Sequence, residues 1–118
     1  MNGYRTKRAL RRNPLKVRLK SAKRFLRLLD DASQTIRLRS GLVTLQPSED
    51  VGEHITDGKE EVIIVLRGKG SVSCSGHRDF KLKAGELLYI PPGIKHNVTN
   101  AGKGALSYVY VVTPVAIG

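Results

Sequence analysis

The sequence predicts an all-β domain whose short antiparallel strands close into a sandwich or barrel, preceded by a basic N-terminal arm. Two observations carry this. From Thr35 onward, β-branched and alternating apolar runs are broken by Gly, Pro, Asn and Asp about every eight to twelve residues. The charge is also unevenly spread. Of 21 Lys and Arg and 10 Asp and Glu, residues 1–30 hold 11 basic residues and one acid (+10), which leaves 10 basic and 9 acidic residues (+1) for 31–118. The globular part is nearly neutral, and the basicity belongs to the arm.

A chain of 118 residues suits one domain and can bury a core without disulfide staples. Cys74 is the single cysteine and has no internal partner, which points to a reducing compartment. No run approaches the roughly 20 apolar residues of a membrane span. Met1 to Lys20 is too often broken by charge to read as a secretory signal. The expectation is a soluble, cytoplasmic protein with no membrane partner.

Taken in order, residues 1–14 form the basic arm, without apolar periodicity and closed by the turn signal Asn13-Pro14. Residues 15–34 follow as a strand and a short helix. Leu15, Val17 and Leu19 alternate with Lys16, Arg18 and Lys20, the pattern of a half-exposed strand. Ser21 can cap a helix that gathers Phe25, Leu26 and Leu29 on one face. Lys23, Arg24, Asp30 and Asp31 oppose that helix, because they stand at the wrong ends for its dipole. The barrel occupies 35–118. Thr35 to Leu45 reads as one strand with a bulge at Ser40-Gly41. Glu61 to Arg67, Lys69 to Ser75, Arg78 to Leu82, Leu87 to Ile90, His96 to Thr99 and Leu106 to Val112 supply the rest, with a hairpin at Ser75-Gly76-His77.

Strands point alternate residues to one face, about 6 to 7 Å apart, so chemistry collects at positions two apart. His54 and Thr56 share a phase. Glu61 is in phase with Ile63 and Val65, and an acid on so apolar a face is costly unless a cation or donor meets it. His96 opens a strand after the rigid Pro91-Pro92-Gly93 turn, in phase with Val98. Two imidazoles and a carboxylate make the 2-His-1-carboxylate set that suits a divalent transition metal.

Gly85, Pro91, Gly93, His96 and Asn100 stand at the spacing G-x5-P-x-G-x2-H-x3-N, which resembles the second motif of the cupin superfamily at all five defined positions. Ser48, His54, Thr56, Glu61 and Gly68 fall on the first, G-x5-H-x-H-x4-E-x6-G, where His54, Glu61 and Gly68 match. The spacer of 16 residues between Gly68 and Gly85 is short, as in compact microbial members. The resemblance covers roughly residues 35 to 113. It implies an antiparallel double-stranded β-helix, the jelly-roll barrel. It also implies that His54, Glu61 and His96 are three of four metal ligands, for Mn, Fe, Ni or Zn. Thr56 stands where the fourth, a histidine, belongs; its neutral hydroxyl is a poor ligand, so either water completes the sphere or the site loses its metal.

Blander roles compete at each position. His96 can cap a turn, His54 beside Glu53 can be an exposed loop pair, Glu60 reads as the solvated acid beside an inward Glu61, and His77 as an exposed hairpin tip. Ile63, Val65 and Val98 are candidate pocket lining. Tyr108 and Tyr110 either line that pocket or pack on the barrel's outside.

Two functions follow from the resemblance. One is a metalloenzyme acting on a small polar metabolite such as a sugar acid, of isomerase, decarboxylase or dioxygenase type. The other is a non-catalytic ligand-binding or regulatory barrel, metal-poor because of Thr56. The arm lacks a helix-turn-helix partner and has few aromatic residues for base stacking, which argues against nucleic acid. A homodimer is expected, with Leu15 to Leu19 as the added strand.

Overall fold

The computed structural model describes residues 12–115. They form nine strands and, among the described residues, no helix: β1 (Phe25–Leu29), β2 (Arg39–Leu45), β3 (His54–Ile55), β4 (Lys59–Arg67), β5 (Lys69–Cys74), β6 (Phe80–Lys83), β7 (Leu87–Ile90), β8 (Lys95–Asn100) and β9 (Leu106–Pro114). A five-stranded sheet runs β1-β2-β9-β4-β7 and a four-stranded sheet β3-β8-β5-β6. Every named pair is antiparallel. The fold is the all-β cupin barrel that the motifs imply. No helix among the described residues is long and apolar enough to cross a membrane.

The inner faces meet in one core. Val43, Leu45, Ile63, Val65, Val72, Leu82, Ile90, Val98, Leu106 and Tyr108 are buried there, drawn from both sheets at alternate positions. Leu42 and Val109 face the other way and form a smaller cluster with Leu28 on the outside of the five-stranded sheet.

Three expectations for the N-terminal half are corrected. Phe25–Leu29 is a strand, not a helix: it pairs with β2 through Phe25↔Val43 and Leu26↔Leu42. Pairing with an open sheet edge outweighs a weak helical pattern whose end charges were unfavourable. The Ser21 hydroxyl accepts a hydrogen bond from the Lys23 amide at 3.0 Å, a local turn in place of a helix cap. Leu15 to Leu19 has no strand structure. Leu15 and Leu19 are exposed and only Val17 packs, on the outer cluster, so the exposed sheet edges of the five-stranded sheet are β1 and β7. The strand expected from Thr35 starts at Arg39, after a turn in which the Gln34 and Thr35 amides both donate to the Asp30 carbonyl at 3.1 Å. The arm, 1–14, lies outside the described residues up to Arg11.

Two glycines are set by close approach. Gly68 joins β4 to β5 at φ 85°, and a β-carbon there would lie 2.4 Å from the Ala105 carbonyl oxygen. Gly41 has ordinary strand geometry; the irregularity expected at Ser40-Gly41 is on the facing strand, between Arg27 and Leu29. A β-carbon on Gly41 would come within 2.6 Å of the Tyr110 ring and hydroxyl, so the missing side chain is the space in which that ring lies.

Candidate metal centre

β3 and β8 pair so that His54 stands directly opposite His96. Their rings meet edge to face, with centroids 4.3 Å apart and 60° between the planes. Glu61 arrives from the other sheet, on β4. One ligand atom from each of His54, Glu61 and His96 lies within 4.8 Å of the other two. Three residues far apart in the chain therefore converge, with His96 and Glu61 buried and His54 exposed at the mouth.

Hydrogen bonds fix which ring nitrogen is free. A backbone carbonyl can only accept, so Nδ1 of His96 donates to the Ile94 carbonyl at 2.8 Å, and Nδ1 of His54 donates to the Gly52 carbonyl at 2.9 Å. That leaves each Nε2 available to a ligand, the arrangement that orients histidines around metals. Nε2 of His96 points at Glu61 Oε1, 3.1 Å away. A neutral imidazole lone pair and a carboxylate oxygen are both acceptors, so this buried contact requires a positive centre between them, either a proton or a metal cation. Without metal, the proton is held more tightly than usual. The hydrogen bond to Glu61 raises the His96 pKa above its ordinary value; burial opposes this, and the Ile94 carbonyl and the Glu61 charge add to it.

The donor set fits a divalent ion. Ligand atoms bonded at about 2.1 Å sit roughly 3 to 4 Å apart around one ion, and the three ligand atoms here, all within 4.8 Å of one another, are near that spacing. Thr56 lines the same cavity, and its Oγ1 is buried without a hydrogen-bond partner among the described residues. Its hydroxyl is too short to replace an imidazole, yet it is free to bond a ligand.

The cavity holds about 320 Å3. Val98, Tyr108 and Tyr110 form part of its wall, so both tyrosines face inward. Burial, with the charges of Glu61 and Tyr110, raises the Tyr108 pKa, which keeps that phenol protonated. Ile63 and Val65 are inward but lie in the packed core; their bulkier β9 neighbours, Tyr110 and Tyr108, make the wall instead. Glu60 is half-buried and accepts a hydrogen bond from the Tyr89 hydroxyl at 2.9 Å. His77 is exposed on its hairpin. Sequence reasoning passed over Phe25 and Arg39, which also line the cavity. The signal for Arg39 was its phase, two and four residues before Gly41 and Val43. Phe25 was hidden by the helical reading.

Asn100, which completes the second motif, has a structural role. Its Nδ2 donates to the Leu45 and Gly104 carbonyls, and its Oδ1 accepts from the Gly102 amide, each at 2.9 Å. It ties off the β8–β9 turn far from the histidines.

Comparison with known proteins agrees with this fold. A family profile described as Cupin domain matches residues 41–112. The chain is 32% identical over 76 residues to a protein named polyketide synthase CurC from Streptomyces cyaneus, covering 64% of this chain and 49% of that one. It is 31% identical over 68 residues to an oxalate-binding protein from Thermotoga maritima, covering 58% and 55%. The chain thus spans about half the length of these curated relatives. A Thermotoga maritima crystal structure described as a predicted oxalate decarboxylase superposes with a TM-score of 0.71 at 26% identity, covering 77% of this chain and 79% of that one.

Proposed function

The chain belongs to the cupin domain family, and from that premise we propose that His54, Glu61 and His96 hold one divalent transition metal that meets a small, oxygen-rich metabolite in the cavity. The observation that carries this is the His96 Nε2 lone pair aimed at the buried Glu61 carboxylate, a contact that asks for a cation. When bound, Mn, Fe, Ni or Zn supplies a Lewis acid that polarises a ligand oxygen. The chain's own residues do the rest. Ile94 and Gly52 hold the two imidazoles in the ligating tautomer, Tyr108 stays a neutral phenol, and the apolar wall of Val43, Val98 and Val112 limits water around the bound molecule. The reaction type we propose is that of a metalloenzyme, an isomerase, decarboxylase or dioxygenase on a small polar acid. The relatives named for oxalate support a small carboxylate as ligand class.

The test is metal analysis of protein purified without chelators, before and after His96→Ala. About one equivalent of a divalent ion, lost in the variant, is expected. Metal below roughly a tenth of an equivalent after incubation with each of the four ions would remove the reading.

Thr56 favours a second reading, a binding module with a weakened site, because its hydroxyl stands in the cavity without a partner among the described residues. Under that reading the barrel captures its ligand and releases it unchanged. Thr56→His then raises metal affinity by roughly tenfold or more, and the native protein leaves a panel of small acids unaltered while still binding one of them.

A further inference from the structure

Arg39 is the unexplained charge in the cavity. It pairs with Val112 on β9, and Val112 pairs with Glu61 on β4. Residues aligned across neighbouring strands point to the same face, so Arg39, Val112 and Glu61 form one row on the inner side of the sheet. Two strand spacings put the first and last backbones about 10 Å apart, and all three residues line the cavity. A cation and an anion facing one small cavity would be expected to pair, yet Glu61 is engaged by His96, and Arg39 has no ion-pair or hydrogen-bond partner among the described residues. Apart from the two histidines and Glu61, the rest of the wall is apolar or hydroxyl-bearing. Arg27, which pairs with Gly41, stands on the same face of β1 and adds to the positive rim.

We propose that Arg39 is the anion anchor of this site and that the ligand is a small dicarboxylate, one carboxylate held by the guanidinium and the other directed at His54, Glu61 and His96. The inference rests on the metal-site reading and deepens it by assigning a charge to the substrate. A guanidinium presents a planar fork of donors that matches a carboxylate in bidentate fashion, which a point charge does not. The row geometry also sets a length: a molecule bridging the two ends must be compact, since Val112 alone separates them. Arg39 remains solvent-exposed at the mouth, where an incoming anion meets it first.

The experiment is calorimetric titration of the Mn-loaded full chain with oxalate, malonate and succinate, with malonamide as the uncharged counterpart. The native protein binds at least one dianion and binds malonamide far more weakly. Arg39→Gln lowers that dianion affinity by roughly 10- to 100-fold while its metal content stays at the native level, and Arg39→Lys falls between. The inference is overturned if Arg39→Gln binds the dianion as tightly as the native chain, if malonamide binds as well as malonate, or if metal-loaded native protein binds none of the three. Metal content is read in the same samples, so the two ideas separate. If the chain takes up none of the four ions and Arg39→Gln still abolishes its dianion binding, the anchor stands and the metal reading falls.

Discussion

The two ends of the barrel treat their polar groups in opposite ways. At the closed end, Leu45 and Leu106 have no solvent exposure, and the buried Asn100 satisfies two carbonyls and one amide. Six residues along the strands, about 20 Å away, the open end places an imidazole against a carboxylate and, among the described residues, a buried hydroxyl without a partner and an arginine without an anion. One end spends its hydrogen bonds on itself; the other leaves them for something that enters. Stability and binding are therefore separable by position, and substitutions at the two ends should produce different phenotypes.

The largest expected effect is at the closed end. Asn100→Ala strands the Leu45 and Gly104 carbonyls and the Gly102 amide at once. With a buried unsatisfied group costing about 1 to 3 kcal/mol, a loss of about 3 to 5 kcal/mol is expected. Urea unfolding would register it as a lower midpoint with an unchanged slope. A loss below about 1 kcal/mol would mean that the closed end does not hold the barrel together as the comparison requires.

Next comes Gly41, which links the ends by shaping the wall between them. Gly41→Val forces the Tyr110 ring off β2 and into the cavity. The ring's far end is free to swing, so the cost should sit near the low end of the 1 to 3 kcal/mol typical of overpacking, while ligand binding drops sharply. Tyr110→Ala in the same background restores the lost volume. If Gly41→Val leaves ligand affinity intact, Tyr110 does not shape the site.

How far these features were legible in sequence follows from how local their causes are. His54, Glu61 and His96 could be read because strand alternation and motif spacing are properties of short stretches. β1 could not, since Phe25–Leu29 is a strand only by virtue of the edge that β2 offers it. Gly41 looked like a bulge because its purpose, a tyrosine ring from β9, is invisible without the register. Arg39 was passed over for the same reason: its alignment with Glu61 runs through a third strand. Asn100 was recognised as a motif position, yet its partners are the remote Leu45 on β2 and two glycines of its own β8–β9 turn, so its structural role became visible only in the fold.

A smaller effect concerns pH at the open end. The raised His96 pKa means that, in metal-free protein, the His96–Glu61 contact contributes stability fully below the unfolded histidine value of about 6.5, and this is lost as pH rises through the folded value. Metal-free protein should therefore melt at lower temperature as pH climbs above about 6.5, whereas metal replaces the proton and flattens the profile. Metal affinity should move the opposite way and weaken as pH falls, because the proton competes for Nε2. A metal-free melting profile that rises across that window would contradict the assignment of the shared proton to His96.

The smallest effect returns to the closed end, which is not free of strain. Ser48 occupies the motif's first glycine position and is held at φ 71°, in the left-handed region, with its amide donating to the Asn100 carbonyl at 3.3 Å. A side chain in that conformation costs about 1 to 2 kcal/mol, and Ser48→Gly removes it. Glycine also loosens the unfolded chain, which takes back roughly 0.4 to 1 kcal/mol. The net expectation is a gain of up to about 1 kcal/mol, seen as a melting temperature a few degrees higher for a domain of this size. Metal content and dianion affinity should stay unchanged, because the substitution lies at the end away from His54, Glu61 and His96. If Ser48→Gly instead altered ligand affinity, the two ends would be coupled through the β2–β3 loop and β8, and their division of labour would fail.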